Sequence, residues 1–474
     1  MIYKLLRFIF RITNRCYFKT IQVKGLENIP KTGPVFFVAN HPSAFMDPIV
    51  IATVVNRPLF FLAKGSLFQN KFTRWLLPKF NMIPIFRSSE NPDQMHKNKE
   101  IFSHCHKHLA KDGAILAFPE GVSFTERKIK KIQTGTSRIC LGAEAENNFS
   151  LGIQIVTIGL NFSDPHSFQS DLFVNIDKPI SVADYRTAYE EDPFKAAHTL
   201  TDEIRKRLES QVVAIQDAEV DKLVATIELI YKSQLLKDLG YAPGEMEDDF
   251  TVTKAIAQSV NYFMDTDPSR VEKTKYKIEA YLDELERLSL TDSLMKNIGK
   301  RTPLLTSIAS LLYLIFGLPV FAFGFLNNYF PFKIPGWMAR RISERPEFFG
   351  SLAISLGTFT FLIFYSLQIW LLHTFTNDWR IISAYVLLLP LSGFFAYSYY
   401  KRFTTLRGNW RIFSLFYKKT KLITSLLLKR EMILAEFEQG KNDFENHTNE
   451  DVKLKELKLT VTAEDHNHFF NLES

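Results

Sequence analysis

Apolar positions change their spacing along the 474 residues, and each change predicts a different kind of structure. Between Ile21 and Pro179 they fall in short runs divided by polar turns. Seven runs predict strands: Ile21–Val23, Val35–Ala39, Pro58–Ala63, Ile83–Phe86, Ala114–Phe118, Gln154–Leu160 and Leu172–Ile176. Among them, Ile49–Val55, Lys71–Leu77, Asp93–Lys111 and Ser137–Glu146 carry helical spacing. Short β runs alternating with helices predict an α/β domain, a mixed sheet flanked by helices. Chemistry in such a domain sits at strand ends and loops.

Two long helical patterns follow, Phe194–Lys237 and Phe250–Lys300, the second broken near Asp265–Ser269. Neither carries a chemical motif, so they predict a helical extension. Charge then disappears from Pro303–Leu326 and from Phe348–Thr374, and Ile381–Tyr400 is a third apolar run. Each is long enough to cross roughly 30 Å of hydrocarbon, which predicts C-terminal transmembrane helices.

The ends of the chain are charged differently. Residues 1–20 carry Lys4, Arg7, Arg11, Arg15 and Lys19 at steps of three and four, with no acidic residue. This is the pattern of a basic amphipathic helix lying in the headgroup layer of anionic lipid; a helix capping a soluble core has the same spacing. Residues 401–430 hold nine Lys or Arg and no acid, whereas residues 431–474 hold eleven acidic and four basic ones, a composition expected to stay mobile and solvated. Basic residues flank both sides of the first apolar run. The positive-inside rule then expects that run to enter and leave on one side, bending at Gly317, Pro319 and Gly324. The expected organisation is an amphipathic membrane-interface helix over 1–20, the α/β domain over 21–185 and the helical extension over 186–300. A membrane region with two or three hydrophobic segments follows over 301–400, then a basic amphipathic segment and acidic tail over 401–474.

Composition narrows the partners. Aromatics reach 14%, and Phe alone counts 43, a content common where side chains meet lipid. A net charge of +7 points to an anionic partner such as a phosphate substrate or acidic membrane lipid. Nucleic acid fits poorly, because the basic residues cluster beside apolar runs instead of interleaving with exposed aromatics. Cys16, Cys105 and Cys140 are too few and scattered for a disulfide framework or zinc site. His96, His104, His106 and His108 fall in one helical run without flanking carboxylates, so no metal site is expected there.

The stretch Asn40-His41-Pro42-Ser43-Ala44-Phe45-Met46-Asp47-Pro48 holds the chemistry. It lies on a turn after an apolar run and sets a histidine near a carboxylate. That pair is the minimal equipment of a general base. The same residues also read as a helix start, with Asp47 as N-cap and Pro48 in the first turn. Two further stretches carry candidates. Phe118-Pro119-Glu120-Gly121-Val122-Ser123 follows a strand directly, and Asn81–Arg87 is a β run ending in a cation whose fork matches phosphate oxygens.

In this order and spacing the three stretches resemble the glycerophospholipid acyltransferase family, which includes glycerol-3-phosphate and 1-acylglycerol-3-phosphate acyltransferases. The resemblance covers roughly residues 20–180. His41 and Asp47 match the family's His-Asp block, Arg87 ends the second block, and Glu120 and Gly121 match the Phe-Pro-Glu-Gly block. Ile155–Asn161 looks like the fourth block with Thr157 in place of the usual Pro, and Thr134–Ile139 is similar to the segment after the third. Lys64 sits where many members keep a lysine. The chain departs from the pattern at Asn81, where a Gly is common, and in the first block. Five residues separate His41 from Asp47 instead of four, so the turn must bulge for the pair to meet.

The resemblance implies a membrane-bound O-acyltransferase. His41, oriented by Asp47, would deprotonate a hydroxyl that attacks the thioester of acyl-CoA or acyl carrier protein. Arg87, with Lys64, Glu120 and Gly121, would hold or support the substrate phosphate, and backbone amides near Gly121 would receive the oxyanion. The acceptor would be glycerol-3-phosphate or dihydroxyacetone phosphate, or alternatively 1-acylglycerol-3-phosphate. No cofactor or metal is implied. An inactive membrane protein that binds lipid or a partner is the non-enzyme alternative. The expected location is an integral membrane protein with its catalytic domain on the cytoplasmic face.

Overall fold

A computed structural model of the chain describes residues 2–87, 92–215, 217–242, 244–296, 304–418 and 420–469. The first part runs α1 (Ile2–Tyr17), β1 (Thr20–Lys24), β2 (Val35–Ala39), α2 (Met46–Val54), β3 (Leu59–Lys64), α3 (Lys71–Leu76), β4 (Met82–Ile85), α4 (Asn98–Leu109) and β5 (Ala114–Ala117). It continues with α5 (Gly135–Glu146), β6 (Gln154–Phe162), β7 (Asp171–Ile176), β8 (Ile180–Ser181), α6 (Arg186–Glu191) and α7 (Pro193–Gln211). The strands form one mixed sheet in the order β1-β7-β6-β2-β5-β3-β4, with β8 paired to β6. β6 runs antiparallel to β7 and β8, and the other pairs are parallel.

All five residues of β2 are buried, as the centre of a two-faced sheet requires. Alternation sorts them between two apolar layers. Phe36 and Val38 join Leu109, Ile139, Leu200 and Leu208 on one face, whereas Val35, Phe37 and Ala39 join Met46, Val50 and Ile51 on the other. Leu200, Ile204 and Leu208 of α7 complete the first layer, so the α/β fold extends past the expected boundary at 185.

The remaining elements are α8 (Ala218–Ile227), α9 (Ser233–Asp238), α10 (Met246–Thr266), α11 (Pro268–Arg287), α12 (Asp292–Met295), α13 (Leu304–Ile342), α14 (Phe349–Phe375), α15 (Trp379–Lys418) and α16 (Thr420–Phe469). Contacts divide the chain into two units, Met1–Gln216 with Tyr313–Tyr399, and Asp217–Leu312 with Tyr400–Ser474. The expected boundary at 300/301 falls outside the described residues.

Among the described residues, three helices are long and apolar enough to cross a membrane: Ala309–Ile342, Pro346–Phe375 and Trp379–Gly408. The first corrects the expected hairpin. α13 is continuous through Pro319, Pro331 and Pro335. Gly317 and Gly324 serve helix packing instead of a bend. A Cβ on Gly324 would stand 2.1 Å from the Ser392 carbonyl oxygen, and one on Gly317 would stand 3.0 Å from the Phe395 ring. Small residues allow this approach, and polar side chains tie the helices. Tyr365 donates to Asn328 Oδ1 at 2.6 Å, and Asn328 donates to the Leu389 carbonyl at 3.1 Å.

The two charged ends make pairings that their composition does not show. On α1, Arg7 and Arg11 donate to the carbonyls of Val55 and Thr53. They neutralise the negative end of α2. Leu5, Phe8 and Ile12 form the exposed face of α1, at 59%, 62% and 50% exposure. The tail is helical where described: Glu436 and Asp443 of α16 pair with Lys277 and Arg270 of α11. Arg430 grips the buried Asp292 through two nitrogens, at 2.8 and 3.2 Å.

Candidate active site

The parallel strands β2, β5, β3 and β4 are consecutive neighbours. Each delivers a candidate residue at its C-terminal end, the edge where open α/β sheets bind ligands. His41 follows β2, Glu120 follows β5, Lys64 closes β3 and Arg87 follows β4. The register pairs Lys64 with Ile85, two residues before Arg87.

The bulge at the His-Asp block is present, and the pair meets across it. His41 Nδ1 lies 2.8 Å from Asp47 Oδ2. The same oxygen accepts the Ser43 amide at 2.8 Å. The additional residue is absorbed by Ala44, which takes a left-handed φ of 41°. Its amide donates to Ser123 Oγ at 2.8 Å, which pins the bulge to the loop after β5. α2 begins at Met46, so Asp47 sits inside the first turn instead of capping it. Asp47 is fully buried. Burial raises its pKa above the ordinary carboxylate value, while the bonds from His41 and Ser43 pull it back. A carboxylate on Nδ1 holds the imidazole in one tautomer and leaves Nε2 as the base. The His41 ring stacks on Phe118 at 4.0 Å.

Glu120 occupies a different place from the one expected. Its Oε1 accepts the His41 amide at 3.1 Å and its Oε2 accepts the Lys130 amide at 2.8 Å. A buried carboxylate would repel a phosphate. Its position instead clamps the histidine turn to the loop leading to Lys130. Burial raises the Glu120 pKa, opposed by those two amides. The amide of Gly121 closes a turn onto the Phe118 carbonyl at 3.0 Å. Its φ of 77° and missing Cβ matter more: a Cβ there would stand 3.1 Å from Arg87 Cζ. Gly121 thereby admits the guanidinium to the edge that carries His41.

Asn40 belongs to the site although the motifs do not single it out. Its side chain donates to the Leu160 carbonyl at 3.0 Å and accepts the Leu160 amide at 2.7 Å. It extends the β2–β6 ladder by one step and fixes where the histidine turn departs. Its position as a polar residue directly after a wholly apolar strand is the available signal. Thr157 lies buried on β6 beside β2, and Thr134 precedes α5. His108 rests on the Phe60 ring at 4.0 Å.

The mixed sheet thus sets a histidine–carboxylate pair and an arginine at the ends of parallel strands. Residues 20–161 match the family model described as Acyltransferase. The chain is similar to a glycerol-3-phosphate O-acyltransferase 1 of Saccharomyces cerevisiae, 24% identical over 59% of this chain and 47% of that protein. It is also similar to a 1-acyl-sn-glycerol-3-phosphate acyltransferase of Borreliella burgdorferi, 31% identical over 30% of this chain and 58% of that one. The chain thus spans about half the length of these curated relatives. Among solved structures, the 1-acyl-sn-glycerophosphate acyltransferase PlsC of Thermotoga maritima aligns at 20% identity with a TM-score of 0.31, covering 44% of this chain and 79% of that one.

Proposed function

We propose that the protein is a membrane O-acyltransferase that moves a fatty acyl group from a thioester donor to the hydroxyl of glycerol-3-phosphate or dihydroxyacetone phosphate. The observation that carries this reading is the 2.8 Å contact between His41 Nδ1 and Asp47 Oδ2 at the strand edge that also bears Arg87. His41 Nε2 takes the hydroxyl proton as the oxygen attacks the thioester carbonyl. The C–S bond then breaks, and the departing thiol recovers the proton from His41. The neighbouring Asp47 stabilises the intervening imidazolium. Arg87, with Lys64, holds the acceptor phosphate. The donor is acyl-CoA or acyl carrier protein, and no metal or cofactor takes part.

The catalytic domain is placed on the cytoplasmic face. Supporting this, the last turn of α13 carries Arg340 and Arg341, Arg345 follows it, and the connection meets the domain where Phe348 packs on Phe45. The exposed apolar face of α1 suits an anionic membrane surface.

The test is transfer of a labelled acyl group by purified protein to each acceptor, 1-acylglycerol-3-phosphate included, with acyl-CoA and acyl carrier protein compared. His41→Ala is expected to abolish transfer at unchanged expression. Full activity in that variant would overturn the mechanism. Greater turnover with 1-acylglycerol-3-phosphate would reassign the acceptor. Wild type silent with every acceptor would favour an inactive lipid- or partner-binding protein.

A further inference from the structure

The crossovers of the sheet sort its helices between two faces. α2 and α3 both carry the chain the same way along the order β2-β5-β3-β4, so right-handed crossovers put them on one face. α4 returns from β4 to β5 and packs in the other layer through Cys105 and Leu109. α1 lies with α2 and α3, because it contacts α2 and the turn Leu77–Phe80 that follows α3. Charge on these helices has one sign at the surface. Asp47 is the one acidic residue in α1, α2 and α3, and it is buried. The chain then holds no Asp or Glu from Pro48 to Ser89, whereas Lys71, Arg74 and Lys79 are all exposed.

Apolar side chains stand out from the same segment. Phe72 and Trp75, three apart on α3, are 64% and 59% exposed, with their rings 6.3 Å apart. Lys79 Nζ lies 3.4 Å from the centre of the Trp75 ring. The helix beneath them is fixed to the domain. Phe68 is buried just before it, Asn70 caps it by accepting the Thr73 amide at 2.7 Å, and Arg74 Nε donates to the Phe68 carbonyl at 3.2 Å. The patch also adjoins the membrane elements. α1, which bears the exposed Leu5, Phe8 and Ile12, touches the turn after α3 and meets Thr358 of α14 through Thr13 at 3.1 Å. α14 lies in one of the helices long and apolar enough to cross a bilayer.

We propose that α3 and the turn after it dock on the anionic headgroup layer of a bilayer, as a second membrane contact beside α1. Phe72 and Trp75 enter the boundary between headgroups and acyl chains, where amphipathic aromatic rings collect. Lys71 and Lys79 meet lipid phosphates, which a polybasic segment seeks at an anionic surface. The absence of surface carboxylates on α1, α2 and α3 is what such a partner requires. The proposal is independent of the transferase reading, since none of these residues belongs to the His41 site.

The experiment uses the full chain in nanodiscs of phosphatidylcholine and phosphatidylglycerol, with part of the phosphatidylcholine carrying a nitroxide near its headgroup. Cys16→Ser leaves Cys105 and Cys140, which are buried. An NBD fluorophore is then attached at Phe72→Cys or, for comparison, at Glu191→Cys on α6, whose Tyr189 packs against the opposite layer. Nitroxide lipid should quench the label at 72 at least threefold more than the label at 191. Lys71→Glu combined with Lys79→Glu should cut that quenching at least twofold, and so should discs of phosphatidylcholine alone. His41→Ala should be quenched like its parent, which separates this surface from the transferase reading. Quenching at 72 no greater than at 191 would overturn the proposal. So would quenching that neither the double variant nor the removal of anionic lipid changes. A label at 72 that is blue-shifted yet untouched by nitroxide lipid would mean a protein surface covers the patch, a second copy of this chain included, and would overturn it too.

Discussion

Replacing Asp47 with asparagine should lower activity and raise stability in one substitution. Asp47 Oδ2 accepts both the Ser43 amide and His41 Nδ1, each at 2.8 Å. An asparagine must place its oxygen there, since its NH₂ would face the Ser43 N–H. The imidazole tautomer is therefore kept, and only the negative charge is lost. A hydrogen bond to a charged group contributes about 1.5–3 kcal/mol against 0.5–1.5 for a neutral pair. The imidazolium formed during transfer thus loses about 1–2 kcal/mol, or about 5- to 30-fold in kcat. Stability moves the other way. Burial raises the Asp47 pKa above 3.8, so the folded state favours the neutral acid. Its contribution is fully present below the unfolded pKa and is lost as pH rises through the folded one. The uncharged amide escapes that loss. Asp47 Oδ1 already lacks a partner, so the amide nitrogen replaces one unmatched atom with another. The gap in apparent Tm between Asp47→Asn and wild type, read by intrinsic fluorescence in detergent, should widen in favour of the variant from pH 4 upward. Glu120 is also shifted upward, chiefly by burial and in its smallest part by the Asp47 charge, so removing that charge eases Glu120 as well and moves the gap in the same direction. Wild-type kcat within twofold, or a Tm gap that widens against the variant as pH rises, would refute the reasoning.

Ser123→Ala strands the buried Ala44 amide, at a cost of about 1–3 kcal/mol. It should lower kcat more than it raises KM, and equal kcat would separate Ser123 from the dyad. Arg87→Ala removes a charge-assisted contact of about 1.5–3 kcal/mol; kcat/KM for the glycerol phosphate should fall about 10- to 100-fold, with little change in KM for the thioester. Gly350→Ala puts a Cβ 2.0 Å from the Pro165 carbonyl oxygen, which forces α14 off the α/β domain. A loss of about 1–3 kcal/mol is expected in thermal unfolding. Gly357→Ala in the same helix, with 3.8 Å to Pro335, should be tolerated.

The sheet is largely legible in the sequence because its centre is uniform. Val35–Ala39 is apolar throughout, and its strand has the bounds the pattern predicts. What holds the bulge is not legible, because it comes from far away: Ser123 is 79 residues from Ala44, and Asn40 meets Leu160 across 120. Spacing along one segment carries no record of either bond. The domain boundary fails for a related reason. α7 shows Ala196, Ala197, Leu200, Ile204 and Leu208 at helical spacing, but only the sheet says that this face covers the same apolar layer as Phe36 and Val38. Gly317 and Gly324 mark places where a chain can bend or where two helices can touch, and composition does not choose between them.

The bulged turn and the membrane helix meet in one place. Phe45, within the five residues between His41 and Asp47, packs edge-on against Phe348 at 5.7 Å, at the foot of α14. Further along the helix, Ile354 is buried in the apolar layer that holds Val50 and Ile51 of α2 and Ala39 of β2. Thr358 then meets Thr13 of α1 at 3.1 Å. A helix long and apolar enough to cross a membrane therefore supplies a core residue, Ile354, to the layer beneath the His-Asp turn. The spacing that departs from the family pattern falls where the chain presents an aromatic side chain to that helix. His41 and Asp47 are held from one side by Glu120 and Ser123, and from the other by packing that begins inside the bilayer segment. In this chain α14 is part of the α/β domain's own core.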